Sequence, residues 1–118
     1  MKKKIICFDL DNTLCTTTKN YYTKSKPKKN KISLVNDLYD KGYIIKIFTS
    51  RFMGRSNENI RQAKKLGYDI TKIQLKKWGV KYHKLILGKP SYDIFIDDKN
   101  LNFKNNWERI LLSILRSK

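Results

Sequence analysis

Four short apolar runs, at residues 4–9, 43–49, 84–87 and 93–97, recur along the chain, with helix-length stretches between the first three and after the last. Each run is too short for a helix and rich in isoleucine, phenylalanine or leucine, so each reads as a buried strand. Between them, Leu34, Val35, Leu38 and Tyr39 form a stripe at helical spacing that stops at Gly42, and Pro27 suits the first turn of that helix. Ser56 can cap a helix over about 57–66 that ends at Gly67, and a second helical piece carries Ile70, Ile73 and Trp78 to a stop near Gly79. Trp107, Ile110, Leu111, Ile114 and Leu115 place an amphipathic helix over 103–116. Strands alternating with helices predict an α/β fold: a four-stranded parallel sheet with helices on both faces. With 118 residues, 40% of them hydrophobic, residues 1–118 are expected to fill one domain and leave little room for a second lobe. Residues 14–26 are polar and read as a loop or small hairpin flap, with Tyr21 and Tyr22 to pack it down or to line the substrate mouth.

In a parallel sheet of this kind, ligands bind beyond the carboxyl ends of the strands. The first run ends in Asp9, with Asp11 just beyond; the second ends in Thr49-Ser50-Arg51; the third is followed by Gly88-Lys89-Pro90; the fourth ends in Asp97-Asp98. Carboxylates, hydroxyls and a lysine are thus expected on one rim. Several carboxylates in one place repel, and a hard divalent cation relieves the repulsion. Magnesium is the expected ion, held by Asp9 and Asp97, by the backbone carbonyl of Asp11, and by Asp98 directly or through water.

Such a rim suits phosphoryl transfer. Asp9 can attack phosphorus and form an aspartyl-phosphate. Asp11 can protonate the leaving oxygen and later take a proton from water. The hydroxyl of Thr49, with Ser50 as the fallback, can hold a phosphoryl oxygen, and Lys89 supplies a compact positive charge. Arg51 is a candidate for either a substrate anion or an aspartate, and Asn12 for a turn residue at the substrate.

The stretch Phe8-Asp9-Leu10-Asp11-Asn12-Thr13-Leu14 resembles the DxDx[TV] first motif of the haloacid dehalogenase superfamily of phosphatases. Thr49 resembles that family's second motif, Lys89 its third, and Asp97-Asp98 its acidic fourth, in family order across residues 4–100. The resemblance implies a Rossmann-like three-layer α/β/α fold, Mg²⁺, and the roles just given for the matching residues. Thr49-Ser50-Arg51 and Leu85 to Lys99 are also similar to small capsule-biosynthesis phosphatases without a large cap. That likeness implies a sugar phosphate or a surface-polysaccharide precursor as substrate. Asn12 departs from the glycine common before the motif threonine; asparagine tolerates the positive φ such a turn needs.

The remaining features constrain partners. The chain carries 27 Lys+Arg against 10 Asp+Glu, a formal charge of +17, which attracts anions. The lysines are spread along the whole length, so the charge reads first as composition, and a nucleic-acid end or other macromolecular phosphate is the alternative substrate. A third reading is a binding module that has lost catalysis, against which stands the full set of expected catalytic positions. No apolar run is long enough to span a bilayer, and the start MKKKIICFDL lacks a secretory core, so a cytoplasmic location is expected. Cys7 and Cys15 are too few for a disulfide scaffold and read as reduced thiols, Cys7 in the core. His83 reads as an ordinary histidine and Trp78 and Trp107 as core anchors. An open site can also be closed by a neighbouring subunit, so a homo-oligomer is compatible with the sequence.

Overall fold

The computed structural model describes residues 4–103 and 106–116. The chain runs β1 (Ile5–Asp9), β2 (Cys15–Thr16), a 3₁₀ turn (Tyr22–Lys24), β3 (Lys26–Pro27), α1 (Lys29–Asp40), β4 (Ile44–Thr49), α2 (Ile60–Lys77), β5 (Lys84–Leu87) and α3 (Trp107–Arg116). β1, β4 and β5 form one parallel sheet in that order, while β2 and β3 make a small antiparallel hairpin. The fold is α/β, as the alternation predicted, with three parallel strands among the described residues where four were expected. Residues 93–97 form no strand; they lie exposed in an irregular stretch that runs from 91 to 100. The expected C-terminal helix begins at Trp107, and residues 104–105 of its predicted span lie outside the described residues.

The three strands step across the sheet in one direction. Right-handed crossovers then put both connecting helices on the same face. The core follows: Phe8, Ile45, Ile47, Leu85 and Leu87 of that face pack with Val35 and Leu38 of α1, Leu75 of α2, and Trp107 and Leu111 of α3. The other face carries Ile5, Cys7, Lys46, Phe48, Lys84 and Ile86, each half-buried or exposed. The expected helices on both faces are therefore not found among the described residues. Cys7, expected in the core, is exposed for the same reason, whereas Cys15 is buried; both are free thiols.

Local chemistry sets the helix ends. α1 stops where Gly42 takes φ +96°, with the Tyr43 N–H donating to Leu38 O and the Gly42 N–H to Tyr39 O. Pro27 lies in β3 rather than in the helix. α2 is one helix, not two. Its cap is Asn59, whose side chain accepts from Gln62 N, and Gly67 sits inside it. Gly67 is a packing glycine, because a Cβ there would stand 2.4 Å from the Phe52 ring. His83 extends the β4–β5 pairing: its backbone N–H donates to Ile45 O, its Nδ1 accepts from Ile45 N, and its ring stacks on Tyr39. Trp107 is buried against Phe8, as a core anchor should be.

Candidate active site

The carboxyl ends of β1, β4 and β5 open into a cleft of about 340 Å³, walled by the hairpin on one side and by Lys89–Tyr92 on the other. Asp9 closes β1 at its floor, about one third exposed. One carboxylate oxygen accepts from Lys89 Nζ at 3.2 Å and the other from Thr13 Oγ1 at 3.1 Å. Lys89 is placed by its backbone, whose N–H donates to Thr49 O, and its ammonium stands over the rings of Tyr92 and Phe95. Burial works against the Lys89 charge, but Tyr92 and Asp9 outweigh it and hold the ammonium above the usual lysine range.

Asp11 lies beyond the strand in the turn that Asn12 makes possible. Asn12 adopts φ +64°, and its side-chain oxygen accepts from Thr17 N. Arg51 grips Asp11: Nε stands 3.1 and 3.0 Å from the two oxygens and a terminal nitrogen 2.9 Å from one. Thr17 donates to the same carboxylate. The rest of the guanidinium is taken by Gln74 Oε1 at 2.7 Å, with Ser25 and Thr71 within reach. Arg51 is wholly buried. Of the two partners expected for it, a substrate anion or an aspartate, it takes the aspartate and presents nothing to the cleft, so it is a positioning residue.

Thr49 is also fully buried, and its hydroxyl accepts from Arg51 N. Ser50 faces the cleft instead. Asp9, Asp11, Asn12, Ser50 and Lys89 thus come together, while Thr49 and Arg51 stand behind them. Asp97 and Asp98 do not join: they lie exposed in the irregular stretch. Among the described residues no three acidic, histidine or cysteine side chains gather to hold a metal. Of the donors expected to hold magnesium, Asp9 and Asp11 line the cleft, while Asp97 and Asp98 lie outside it.

The sequence reading missed Thr17, Ser25 and Gln74, which orient Arg51 and Asp11, and Lys19, Asn20 and Tyr92, which line the cleft. Tyr22 packs the hairpin down on Phe52 and Arg51, as its aromatic body suggested, while Tyr21 is exposed. Only the aromatic pair gave a signal; the polar residues of residues 14–26 resemble any solvated loop.

No family model matches the sequence, and no curated protein matches it. A crystal structure of a structural-genomics target from Vibrio cholerae is similar in fold: TM-score 0.79 and 25% identity, over 98% of this chain and 99% of that one. No described helix is long and apolar enough to cross a membrane.

Proposed function

We propose that the chain is a phosphohydrolase that transfers a phosphoryl group from a monoester, best a sugar phosphate, to Asp9 and then to water. The observation that carries this reading is the Asp9–Lys89 pair at the end of a parallel strand, inside a cleft that also holds Asp11 and Ser50. An Asp9 oxygen attacks phosphorus as the ester P–O bond breaks, and the leaving oxygen takes a proton from Asp11. Water then attacks the aspartyl-phosphate, Asp11 takes the water proton, and inorganic phosphate leaves with the Asp9 carboxylate restored. Lys89 offsets the charge on the phosphoryl oxygens, and Ser50 supplies a hydroxyl donor in place of Thr49. Arg51 fixes the direction of the Asp11 carboxylate. A four-stranded Rossmann-like sheet of the haloacid dehalogenase kind belongs to the same reading. A divalent cation, when bound, would screen the nucleophile and polarise the phosphoryl group.

Phosphate release from a panel of sugar phosphates, nucleotides and phosphorylated ends, with magnesium present, tests the reading. Wild-type protein is expected to release phosphate from at least one ester class, and Asp9→Asn to lose that activity by at least about a thousandfold. A folded wild type inactive on the whole panel, or an active Asp9→Asn, ends it. The +17 charge and a cleft open to solvent favour one variant of this reading, in which the ester is the end of a nucleic acid.

A further inference from the structure

We propose that residues 92–97 are an exchanged β-strand: in a two-fold dimer they pair, parallel, with the outer edge of the second copy's β1 and carry Asp97 and Asp98 to that copy's Asp9. The exchange itself stands on geometry, and the placing of the two carboxylates rests on the phosphohydrolase reading above.

Three observations meet. The segment is an apolar run left largely exposed: Ile94 is 79% and Ile96 92% exposed, while Phe95 between them, at 41%, rests against Tyr92 and under the Lys89 ammonium. β1 lies at the end of the sheet order, so among the described residues its outer edge pairs with no strand. β1 has five residues and the bare segment six.

The path of the chain decides which copy the segment can serve. β5 ends at Leu87, and the chain is pinned at the carboxyl end of the sheet from there onward. Lys89 holds Asp9, and the Ser91 backbone N–H donates to the Glu58 carboxylate at 2.9 Å. A strand parallel to its own β1 would have to start at the opposite end of the sheet. A parallel crossover takes a dozen or more residues, and none is left between Ser91 and Tyr92. From its anchor the segment can only run back, antiparallel to its own β1. That direction is parallel to the β1 of a copy turned by a two-fold axis across the strands, and the contact is closed because each copy gives and receives one strand.

At about 3.3 Å per residue the segment spans roughly 17 Å, a strand length. It therefore ends at the carboxyl end of the partner's β1, with Asp97 opposite the partner's Asp9 and Phe95 opposite the partner's Cys7. Charge agrees with this delivery. Asp97 and Asp98 are two of only ten acidic residues in the chain, and they would arrive at a cleft that holds Lys19 and Lys89 above the buried Arg51. The carboxylates that one chain fails to gather around Asp9 are then supplied by the other.

Light scattering on the full chain at tens of micromolar is expected to give twice the 14.1 kDa chain mass. The double variant Ile94→Asp, Ile96→Asp is expected to fall to one chain mass with an unchanged circular dichroism spectrum. For connectivity, a chain carrying Phe95→Cys and Cys7→Ser is co-expressed with the wild-type chain and treated with a short bifunctional thiol reagent. Linkage between positions 95 and 7, located by mass spectrometry, can then form only between copies. A monomeric wild type overturns the proposal. So does absent linkage between copies when a single chain bearing both Cys7 and Phe95→Cys links to itself. Delivery of the carboxylates is read separately. Co-expressed Asp9→Asn and Asp97→Asn/Asp98→Asn chains should together regain phosphate release that neither shows alone. Failure to regain it, with an active wild type and a positive linkage, removes Asp97 and Asp98 from the partner's cleft. A wild type inactive on every ester refutes the phosphohydrolase reading, while mass and linkage still decide the strand exchange.

Discussion

Arg51 is the largest fully buried side chain among the described residues, and its charge is answered chiefly by Asp11. Removing one member of a buried pair leaves the other uncompensated. Arg51→Ala is therefore expected to lower unfolding stability by about 3 kcal/mol, measured by urea denaturation, and to cut phosphate release as the Asp11 carboxylate loses its direction. Lys89 makes a prediction in pH. Its folded-state value is raised, so the Asp9–Lys89 tie contributes its full stability below the unfolded lysine value, about 10.4, and loses it as pH rises through the folded one. The stability gap between wild type and Lys89→Met should stay flat from neutral pH into the mild alkaline range and then narrow; a gap that already shrinks below neutral pH contradicts it. Asp9, Asp11, Asn12, Ser50 and Lys89 were legible in the sequence because each sits where an apolar run stops, and a parallel sheet brings those stops together. The choice for Arg51 between a substrate anion and an aspartate was not, because Ser25, Thr71 and Gln74 reach it from three other segments at no fixed spacing.

Among the elements, α2 shows how one residue type serves two ends. A glycine after an apolar stripe usually closes a helix, as Gly42 does, and Gly67 invites the same reading. Its reason lies outside the helix, in Phe52, a residue 15 positions earlier whose ring occupies the space of a Cβ. Gly67→Ala should thus destabilise by about 1–3 kcal/mol through overpacking, although alanine favours a helix by about 1 kcal/mol; thermal unfolding will show a lower midpoint if the ring contact governs. β1, β4 and β5 were each placed within a residue or so by their apolar runs. Residues 93–97 carry the same signal, yet strand formation needs a neighbour as well as a pattern, and the four residues after Leu87 give the chain no path to one in its own sheet. Cys7 was misread by the same reasoning, since an apolar strand in a parallel sheet is ordinarily covered on both sides.

At the scale of the whole molecule, what counts is a sheet with one covered face and a surface rich in lysine. If the charge serves recognition of a nucleic-acid end, phosphate release from a 5′-phosphorylated oligonucleotide will fall steeply as salt rises from about 50 to about 200 mM, while release from a sugar phosphate changes little. Equal salt response for the two substrates would mark the charge as composition. The α/β class was readable from alternation alone. The open face was not, because the order of strands, and hence the side on which each crossover lies, leaves no trace in local periodicity.

The grip on Asp11 also bears on how the chain reaches its working state. Arg51 follows β4, its aspartate follows β1, and its other partners sit on the hairpin and late in α2, so the clamp joins segments from the first fifth of the chain to its middle. No partly folded species that lacks α2 can aim that carboxylate. Under the proposed function, recovery of phosphate release during refolding should therefore trail the appearance of helical signal and coincide with the last cooperative phase, so that the rate of release would serve as a clock for completion of the fold.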